Sequence, residues 1–480
     1  MSAIDPTQAQ AQSWRRHLSF EPEEARMLGL EAEGRKSLAR LGEQIDVYRE
    51  LATAPDELVS TALRRLARLA VRRFDRGDEH VELERVMFAR LGQLDDAEGY
   101  VRELTELFRE GLARGHAPPL EKVTHYCEHE LPAILDQVEA DSPWREFNAL
   151  LRDEALPAAR ERGPERWRLG AEEYSWRLAN MNVRDSPEAL VESARAHLRE
   201  QQATIAKLLD KPNFQAALPR LRELTSVRLE PGEVIPAYRE AARRCVAFVR
   251  EHQLFDLPED FELPFTIVAP EMAAVTHAGN DPAPLFGEGG GSFAVLDDPE
   301  RHRRAWVAPL SVHEGVPGHY LQSWLWQRRF RASGAAPNFI SIADLLASER
   351  QDWGAMPAIE GWAVYSEDLM LEAGFHAPEQ AVAVANFHAI RCARAIIDAQ
   401  LHTRDMSRER AAELLVDEVG LDHADTGREI LRCIRIPTQP LTYFAGWRTI
   451  AGLVEDSGLP LAEAHARLLA CGPSLPKRLV

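Results

Sequence analysis

HEGVPGH, residues 313–319, is the stretch of sequence that most constrains the fold and chemistry of this chain. It places two histidines around a carboxylate, Glu314, which directly follows the first of them. Neutral imidazole is a good zinc ligand, and a carboxylate beside the metal can take a proton from the water that the metal activates. This order of groups is typical of a catalytic zinc site.

The spacing of the two histidines requires an irregular backbone. The usual zinc-peptidase helix carries histidines four residues apart on one face. Here they are six apart, and at roughly 100° per residue they would point about 120° apart on a regular helix. Pro317 disfavours helix before it, and Gly315 and Gly318 tolerate unusual dihedrals. We therefore expect a helix to begin or bulge near Pro317, so that both rings reach one point. The alternative is a Pro-Gly turn with two incidental histidines.

A second motif, EGWAVYSE at residues 360–367, lies in a stretch with a helical pattern. Glu360 and Glu367 are seven residues apart and therefore share a helix face. Glu360 would complete a His, His, Glu zinc set that leaves one position open for water. Glu367 would hold a ligand histidine through its other ring nitrogen. The alternative is a solvated acidic face, which the neighbouring Trp362 and Tyr365 disfavour.

These motifs resemble a bacterial family. HEGVPGHYLQ followed by EGWAVYSE is similar to the HExxPGHHxQ and EGWAxYxE hallmarks of domain of unknown function 885, which is regarded as a family of largely helical zinc metallopeptidases. Residues 394–402 and 432–446 resemble two further family segments, and the resemblance covers about residues 168–454. It implies one Zn²⁺ ion held by His313, His319 and Glu360, with Glu314 as the base. The sequence does not distinguish Zn²⁺ from Mn²⁺ or Co²⁺.

Three positions depart from the family pattern. Tyr320 stands where the family usually has a second histidine, Gln400 replaces a glycine, and Cys433 replaces a tyrosine. The metal set is intact, so these departures bear on substrate preference rather than on metal binding.

The segment after Pro378 predicts a helix with a polar stripe. Arg391, Arg394, Asp398 and His402 are spaced three, four and four residues apart, so they share an arc of a helix that is otherwise largely apolar. Such a stripe either faces water, with Arg394 and Asp398 as an i,i+4 pair, or lines a wet cleft. In a cleft, a guanidinium would bind a substrate carboxylate bidentately.

Roles in the cleft can be assigned on this basis. The predicted substrate-binding residues are Arg391, Arg394 and Arg432. His402 or Tyr443 would donate a hydrogen bond to the oxyanion that forms when water attacks a carbonyl. Asp398, like Glu367, would hydrogen-bond to a metal ligand on the side away from the metal.

A rival metal motif lies in the N-terminal half. His125-Tyr126-Cys127-Glu128-His129 spells HxxEH, the inverted zinc motif, and its histidines share a helix face. No partner motif follows it. The alternative for this segment is an exposed polar helix end.

Charge and cysteine content limit the partners and the compartment. The 480 residues carry a formal net charge of −19, which disfavours nucleic acid because phosphates need a positive footprint. Five scattered cysteines without a CxxC pair form no disulfide framework and fit a reducing compartment. Residues 1–24 lack the apolar core of a signal peptide, and no apolar run approaches the ~20 residues needed to cross a bilayer. We therefore predict a cytoplasmic protein with no membrane partner.

We predict a mainly α fold, a large multi-helix zinc-peptidase-like architecture with a small β element beside the active-site cleft. Residues 1–22 would be a flexible N-terminal arm, residues 23–225 a helical scaffold domain, and residues 226–480 the metal-binding catalytic domain. Ser186-Pro187 is typical of a helix start, with serine as the cap.

Short strands are expected in residues 261–268 and 292–296. The glycine-rich run 287–291 between them has no nucleotide-binding frame around it, and we interpret it as a loop beside the cleft. Residues 291–295 are our candidate for an edge strand that pairs with an extended peptide substrate.

The leading hypothesis is hydrolysis of a peptide or amide bond by zinc-activated water. Two alternatives stay open. The cleft could act on a small non-peptide amide or specialised metabolite, or the chain could be a non-catalytic helical binding or scaffold protein. Substrate identity and oligomeric state do not follow from the sequence.

Overall fold

Helices form most of the chain. The computed structural model describes residues 6–90, 94, 96–163, 165–268, 278–282, 284, 290–333, 347, 349–403 and 406–479. Within them the fold is mainly α with one small sheet, as the sequence predicts. The α-helices up to residue 181 are α1 Pro6–Leu18, α2 Pro22–Met27, α3 Leu41–Thr53, α4 Thr61–Arg76, α5 Glu84–Arg90, α6 Ala97–Ala113, α7 Leu120–His125, α8 Leu131–Leu135, α9 Pro143–Leu150, α10 Leu156–Arg162 and α11 Ala171–Asn180.

The later helices carry the sequence motifs. They are α12 Pro187–Leu208, α13 Phe214–Ser226, α14 Val234–Glu251, α15 Val307–Glu314, α16 His319–Ser333, α17 Met356–Glu372, α18 Pro378–Thr403, α19 Arg408–Glu413, α20 His423–Arg435, α21 Thr442–Ser457 and α22 Leu461–Ala470. The predicted start of α12 is confirmed, because the Ser186 side chain accepts a hydrogen bond from the backbone N–H of Ala189.

The chain divides into two compact units. The first unit comprises residues 1–181, 333–354 and 434–436, and the second comprises residues 182–332, 355–433 and 437–480. The main division thus falls before α12 rather than near residue 225, where we predicted it. The reason is that α12 and α13 bury apolar side chains, Ile205 and Leu221 among them, in one core with Val382 of α18.

The first unit includes the segment that we expected to be a loose arm. Residues 6–18 instead form α1, because the helix has an apolar side on which Trp14 and Leu18 are buried. The buried His17 ring hydrogen-bonds the Tyr48 hydroxyl at 2.8 Å. Deeper in this unit the fully buried Glu349 pairs with two cations, Lys36 and Arg85. Pairing of this kind is what makes a buried charge tolerable.

The second unit holds every residue of the predicted main site. Its helices α17 and α21 lie against each other with α22 beside them, and Trp362, Ile450 and Leu468 form the core between them. A separate apolar cluster that includes Val312 and Leu321 supports α15 and α16. The helices that bear the two motifs are therefore each fixed by the burial of apolar side chains.

The sheet has three short strands in the order β1-β3-β2, namely β1 Phe265–Ile267, β2 Ala278–Asp281 and β3 Ser292–Val295. β3 pairs in parallel with β1 and antiparallel with β2. Both predicted strands are confirmed, but the proposed role of residues 291–295 as a substrate-pairing edge is wrong. β3 is the central strand, so both of its edges are already paired, and its residues are buried. Residues 287–289 of the glycine-rich run lie outside the described residues.

Two smaller expectations concern the cysteines and the membrane. All five cysteines are free, which confirms the absence of a disulfide framework. Within the described ranges, no helix combines the length and the apolar character that crossing a bilayer requires.

Candidate metal centre

The helix breaks between the two histidines, as the sequence predicts. α15 ends at Glu314 and α16 begins at His319, with four residues of turn between them. A side chain at Gly318 would clash with the backbone carbonyl oxygens of Val312 and His313, so only glycine allows the turn to fold back this closely. The turn is held from α17, where the Trp362 indole N–H donates to the Pro317 carbonyl oxygen at 2.9 Å.

The break brings both imidazoles to one carboxylate. Nε2 of His313 and Nε2 of His319 each lie 3.4 Å from Oε2 of Glu360. The two rings are 4.7 Å apart between centroids and nearly perpendicular, at 79°. All three side chains are buried. Among the residues that the structure describes, they form the one group of three or more possible ligand residues that converges closely enough to hold a metal ion.

The spacing of these atoms fits a tetrahedral ion. Ligand atoms bound at ~2.0–2.1 Å in tetrahedral geometry lie about 3.3–3.4 Å from one another, which matches both nitrogen-to-oxygen distances. Oε2 of Glu360 is buried and has no hydrogen-bond partner, an arrangement that is costly unless something else satisfies the atom. The donor set therefore suits a divalent cation such as Zn²⁺.

Glu367 orients the first histidine. Its Oε1 lies 2.7 Å from Nδ1 of His313. A carboxylate only accepts hydrogen bonds, so Nδ1 carries the proton and Nε2 keeps its lone pair for a metal. Arg391 in turn donates to both oxygens of Glu367, at 2.8 and 2.6 Å. Glu367 thus contacts the His313 nitrogen that faces away from Glu360, and its role in supporting a metal ligand stays a prediction.

The electrostatics of the centre favour a cation. Burial raises the pKa of Glu367, but Arg391 and His313 outweigh it and lower that pKa to about 2. Burial likewise raises the pKa of Glu360, and the two histidines lower it well below the ordinary value. Both glutamates are therefore ionised near neutral pH. Burial lowers the pKa of His313, yet Glu360 and Glu367 raise it overall, so a metal ion competes with a proton for this ring.

Glu314 and Tyr443 are both neighbours of His313, the first in the chain and the second through its ring. Glu314 follows it in the chain and is half-buried at the end of α15. The Tyr443 ring is buried and lies nearly parallel to the His313 ring, at 20° and 6.3 Å between centroids. The Tyr443 hydroxyl accepts a hydrogen bond from Nη2 of Arg432 at 2.9 Å. The predicted base and the predicted oxyanion donor thus both adjoin one ligand.

Arg391 and Arg394 match neither interpretation of the polar stripe, which lies on α18. Arg391 and Arg394 were predicted to bind substrate, or else to face water. Instead Arg391 pairs with Glu367, and Arg394 makes a bidentate pair with Glu429 at 2.6 and 2.7 Å. Each guanidinium already has a carboxylate of the chain itself. The i,i+4 pair of Arg394 with Asp398 is replaced by a pair between two helices.

His402 and Asp398 also have other partners than those predicted. His402 is fully buried, and its Nε2–H donates to the Cys433 carbonyl oxygen at 2.9 Å. This contact ties α18 to α20 and does not make His402 an oxyanion donor. Asp398 accepts the backbone N–H of Thr438, so it holds the turn before α21.

The rival HxxEH segment forms no comparable centre. The rings of His125 and His129 are 5.2 Å apart between centroids, and Nε2 of His125 lies 3.2 Å from the Glu130 carboxylate. No third ligand residue within the described chain joins them at metal-binding distance. The regular helix expected there is also interrupted, since residues 126–130 form a π-helical turn.

Sequence reasoning missed how the centre is held together. Trp362 and Ser366 both donate to the Pro317 carbonyl oxygen, which fixes the turn to the helix that carries Glu360. A side chain at Gly361 would meet the backbone of Gly446, so α17 and α21 touch through backbone atoms. Gly361 and Trp362, which follow Glu360 in the motif, are the sequence features from which this packing could have been inferred.

Removing the charge of Glu367 should weaken metal binding. We expect Glu367→Gln to lower zinc affinity about 10–100-fold, because the amide can no longer fix the His313 tautomer as a carboxylate does. Competition with a chelating dye measures the affinity. Asp368→Asn is the matched control, since Asp368 bonds His388 and Trp447 instead of a ligand. Equal affinities in wild type and Glu367→Gln would contradict this role.

Fold and site together define a mainly helical protein with a buried His, His, Glu centre set at a helix break. A model of the family described as bacterial protein of unknown function, DUF885, matches residues 5–476. The chain belongs to this family, as the sequence resemblance indicates. A search of curated proteins finds no match.

Two solved structures share the fold. A "putative lipoprotein of unknown function" from Shewanella oneidensis is similar with a TM-score of 0.71 at 18% identity, over 98% of both chains. A "putative lipoprotein" from Colwellia psychrerythraea gives a TM-score of 0.66 at 15% identity, over 97% of this chain and 95% of that one. Similarity at such low identity establishes the fold alone.

These relatives contradict the predicted cytoplasmic location. Both carry a lipoprotein description, and lipoproteins are anchored at a membrane rather than dissolved in the cytoplasm. The prediction rested only on the polar character of residues 1–24 and on the cysteine pattern, and the descriptions of these two structures contradict it.

Proposed function

We propose that the protein is a metal-dependent hydrolase that cleaves a peptide or amide bond. The observation that carries this proposal is the convergence of His313, His319 and Glu360, with both nitrogen-to-oxygen distances at tetrahedral spacing and with Glu314 next to His313 in the chain. Three protein ligands with an open position are typical of catalytic rather than structural zinc.

In this mechanism His313, His319 and Glu360 would hold Zn²⁺. The ion, when bound, would polarise a carbonyl and make water more acidic. Glu314 takes the proton of the attacking water and returns it to the leaving nitrogen. The Tyr443 phenol, oriented by the hydrogen bond from Arg432, donates to the oxyanion that forms on the attacked carbonyl. Glu367 keeps His313 in the ligating tautomer throughout.

Metal analysis combined with a substrate panel tests the proposal. We expect one zinc ion per chain and cleavage of peptides or acylated amines, detected by mass spectrometry. Removal of the metal with 1,10-phenanthroline should abolish cleavage, and added Zn²⁺ should restore it. The chelator should also lower the melting temperature, because bound metal stabilises the folded state. Metal-free protein with unchanged melting would support the non-catalytic alternative instead.

A further inference from the structure

Three guanidinium groups surround the ring of Tyr443. The carbon atoms at the centres of the Arg391, Arg394 and Arg432 guanidinium groups lie 5.9, 5.1 and 5.5 Å from the ring centroid. Arg391 is neutralised by Glu367 and Arg394 by Glu429. Arg432, the third of these arginines, has no such carboxylate partner among the residues that the structure describes.

Arg432 has only neutral hydrogen-bond partners. Its Nε and Nη2 donate to the Gln439 side-chain oxygen at 3.2 and 2.8 Å, and Nη2 also donates to the Tyr443 hydroxyl. Within the described chain, no carboxylate lies within the 4.0 Å of an ion pair. The half-buried cation is therefore fixed in place without a carboxylate in ion-pair contact, and Glu429 and Glu360 act on it only from a greater distance. Within the described residues the Nη1 atom of Arg432 makes no hydrogen bond. It is also not one of the fully buried atoms that lack a partner, so it keeps some exposure to solvent.

The position of Arg432 allows it to contact the same substrate as the metal group. The Tyr443 ring adjoins both, at 6.3 Å from the His313 ring and 5.5 Å from the Arg432 guanidinium. The imidazole and the guanidinium are therefore no farther apart than these two distances together allow. One residue of an extended chain spans about 3.3–3.6 Å, so this bound includes a carboxylate placed one residue beyond a carbonyl at the metal group.

We propose that Arg432, held by Gln439 and Tyr443, receives the free C-terminal carboxylate of the substrate. Guanidinium matches a carboxylate bidentately, and a fixed cation with no carboxylate in direct contact is the complementary partner. The inference rests on the proposed function and narrows it to carboxypeptidase action, the removal of a C-terminal amino acid. Water adds to the last peptide carbonyl and the C–N bond breaks. The shortened peptide gains a carboxylate, and the released amino acid takes the proton on its nitrogen.

Paired substrates test this assignment. N-acylated dipeptides with a free C-terminal acid should be cleaved by wild type at least about 100-fold better, in kcat/KM, than the same dipeptides with a C-terminal amide. Arg432→Gln should remove this preference while zinc content stays unchanged. Arg428→Gln is the matched control, because Arg428 lies one turn earlier on α20, is exposed and pairs with Asp425. Equal cleavage of acids and amides by wild type would overturn the assignment.

A binding measurement separates this inference from the proposed function. N-acetylphenylalanine and its amide are titrated by calorimetry into zinc-loaded Glu314→Gln, with and without Arg432→Gln. We expect the acid to bind, the amide not to bind, and Arg432→Gln to abolish binding of the acid. Acid binding through Arg432 without any peptide cleavage in wild type would refute hydrolysis yet support the carboxylate site. Acid binding that is unchanged in Arg432→Gln would overturn the carboxylate site whatever the activity.

Discussion

Glu314→Gln should lower kcat/KM for peptide or amide hydrolysis by about 10²–10⁴-fold, the usual contribution of a general base. The amide keeps the size of the side chain but cannot accept a proton. The three ligand side chains are untouched, so zinc content should equal that of wild type. Activity assays and metal analysis on the same samples measure both quantities.

Glu372→Gln is the control for Glu314→Gln. Glu372 is an exposed residue at the end of α17, and its replacement should leave both activity and zinc content unchanged. Undiminished hydrolysis in Glu314→Gln would remove Glu314 from the mechanism. Loss of zinc together with activity would assign it a structural role in the centre instead.

Gly446→Ala should destabilise the second unit by about 3 kcal/mol, the upper range for overpacking a tight contact. A side chain at this position would clash with the carbonyl oxygen of Pro357 at the start of α17. Backbone on both sides cannot give way as a flexible side chain can, so α21 must move away from α17. Urea denaturation followed by circular dichroism measures the loss.

Gly452→Ala is the control on the same helix. An added methyl there has open space around it, and alanine is the better helix former by about 0.5–1 kcal/mol. We expect equal or greater stability for this variant. Because α17 carries Glu360 and α21 carries Tyr443, Gly446→Ala should also weaken zinc binding. A Gly446→Ala protein with wild-type stability would show that the close backbone contact is not needed.

The centre was predictable where local rules determine it. Pro317 and Gly318 break the helix whatever surrounds them, so the convergence of two histidines six residues apart could be expected. The seven-residue spacing of Glu360 and Glu367 places both on one face of α17. That face meets His313 in the structure, with one glutamate on each ring nitrogen.

The partners of the arginines were not predictable from local pattern. Arg394 has an acceptor one turn away in Asp398 but pairs with Glu429 on another helix, because the packing of helices decides which carboxylate is nearer. The same limit explains the sheet. β3 becomes the central strand only because β2, which the sequence pattern did not reveal, pairs with its second edge.

An anomalous-scattering map collected at the zinc absorption edge, on crystals of the full chain grown with Zn²⁺, tests the metal centre most directly. We predict one strong peak within bonding distance, ~2.0–2.2 Å, of Nε2 of His313, Nε2 of His319 and a Glu360 oxygen. A map with no peak there, or with its peak beside His125 and His129, would contradict the account.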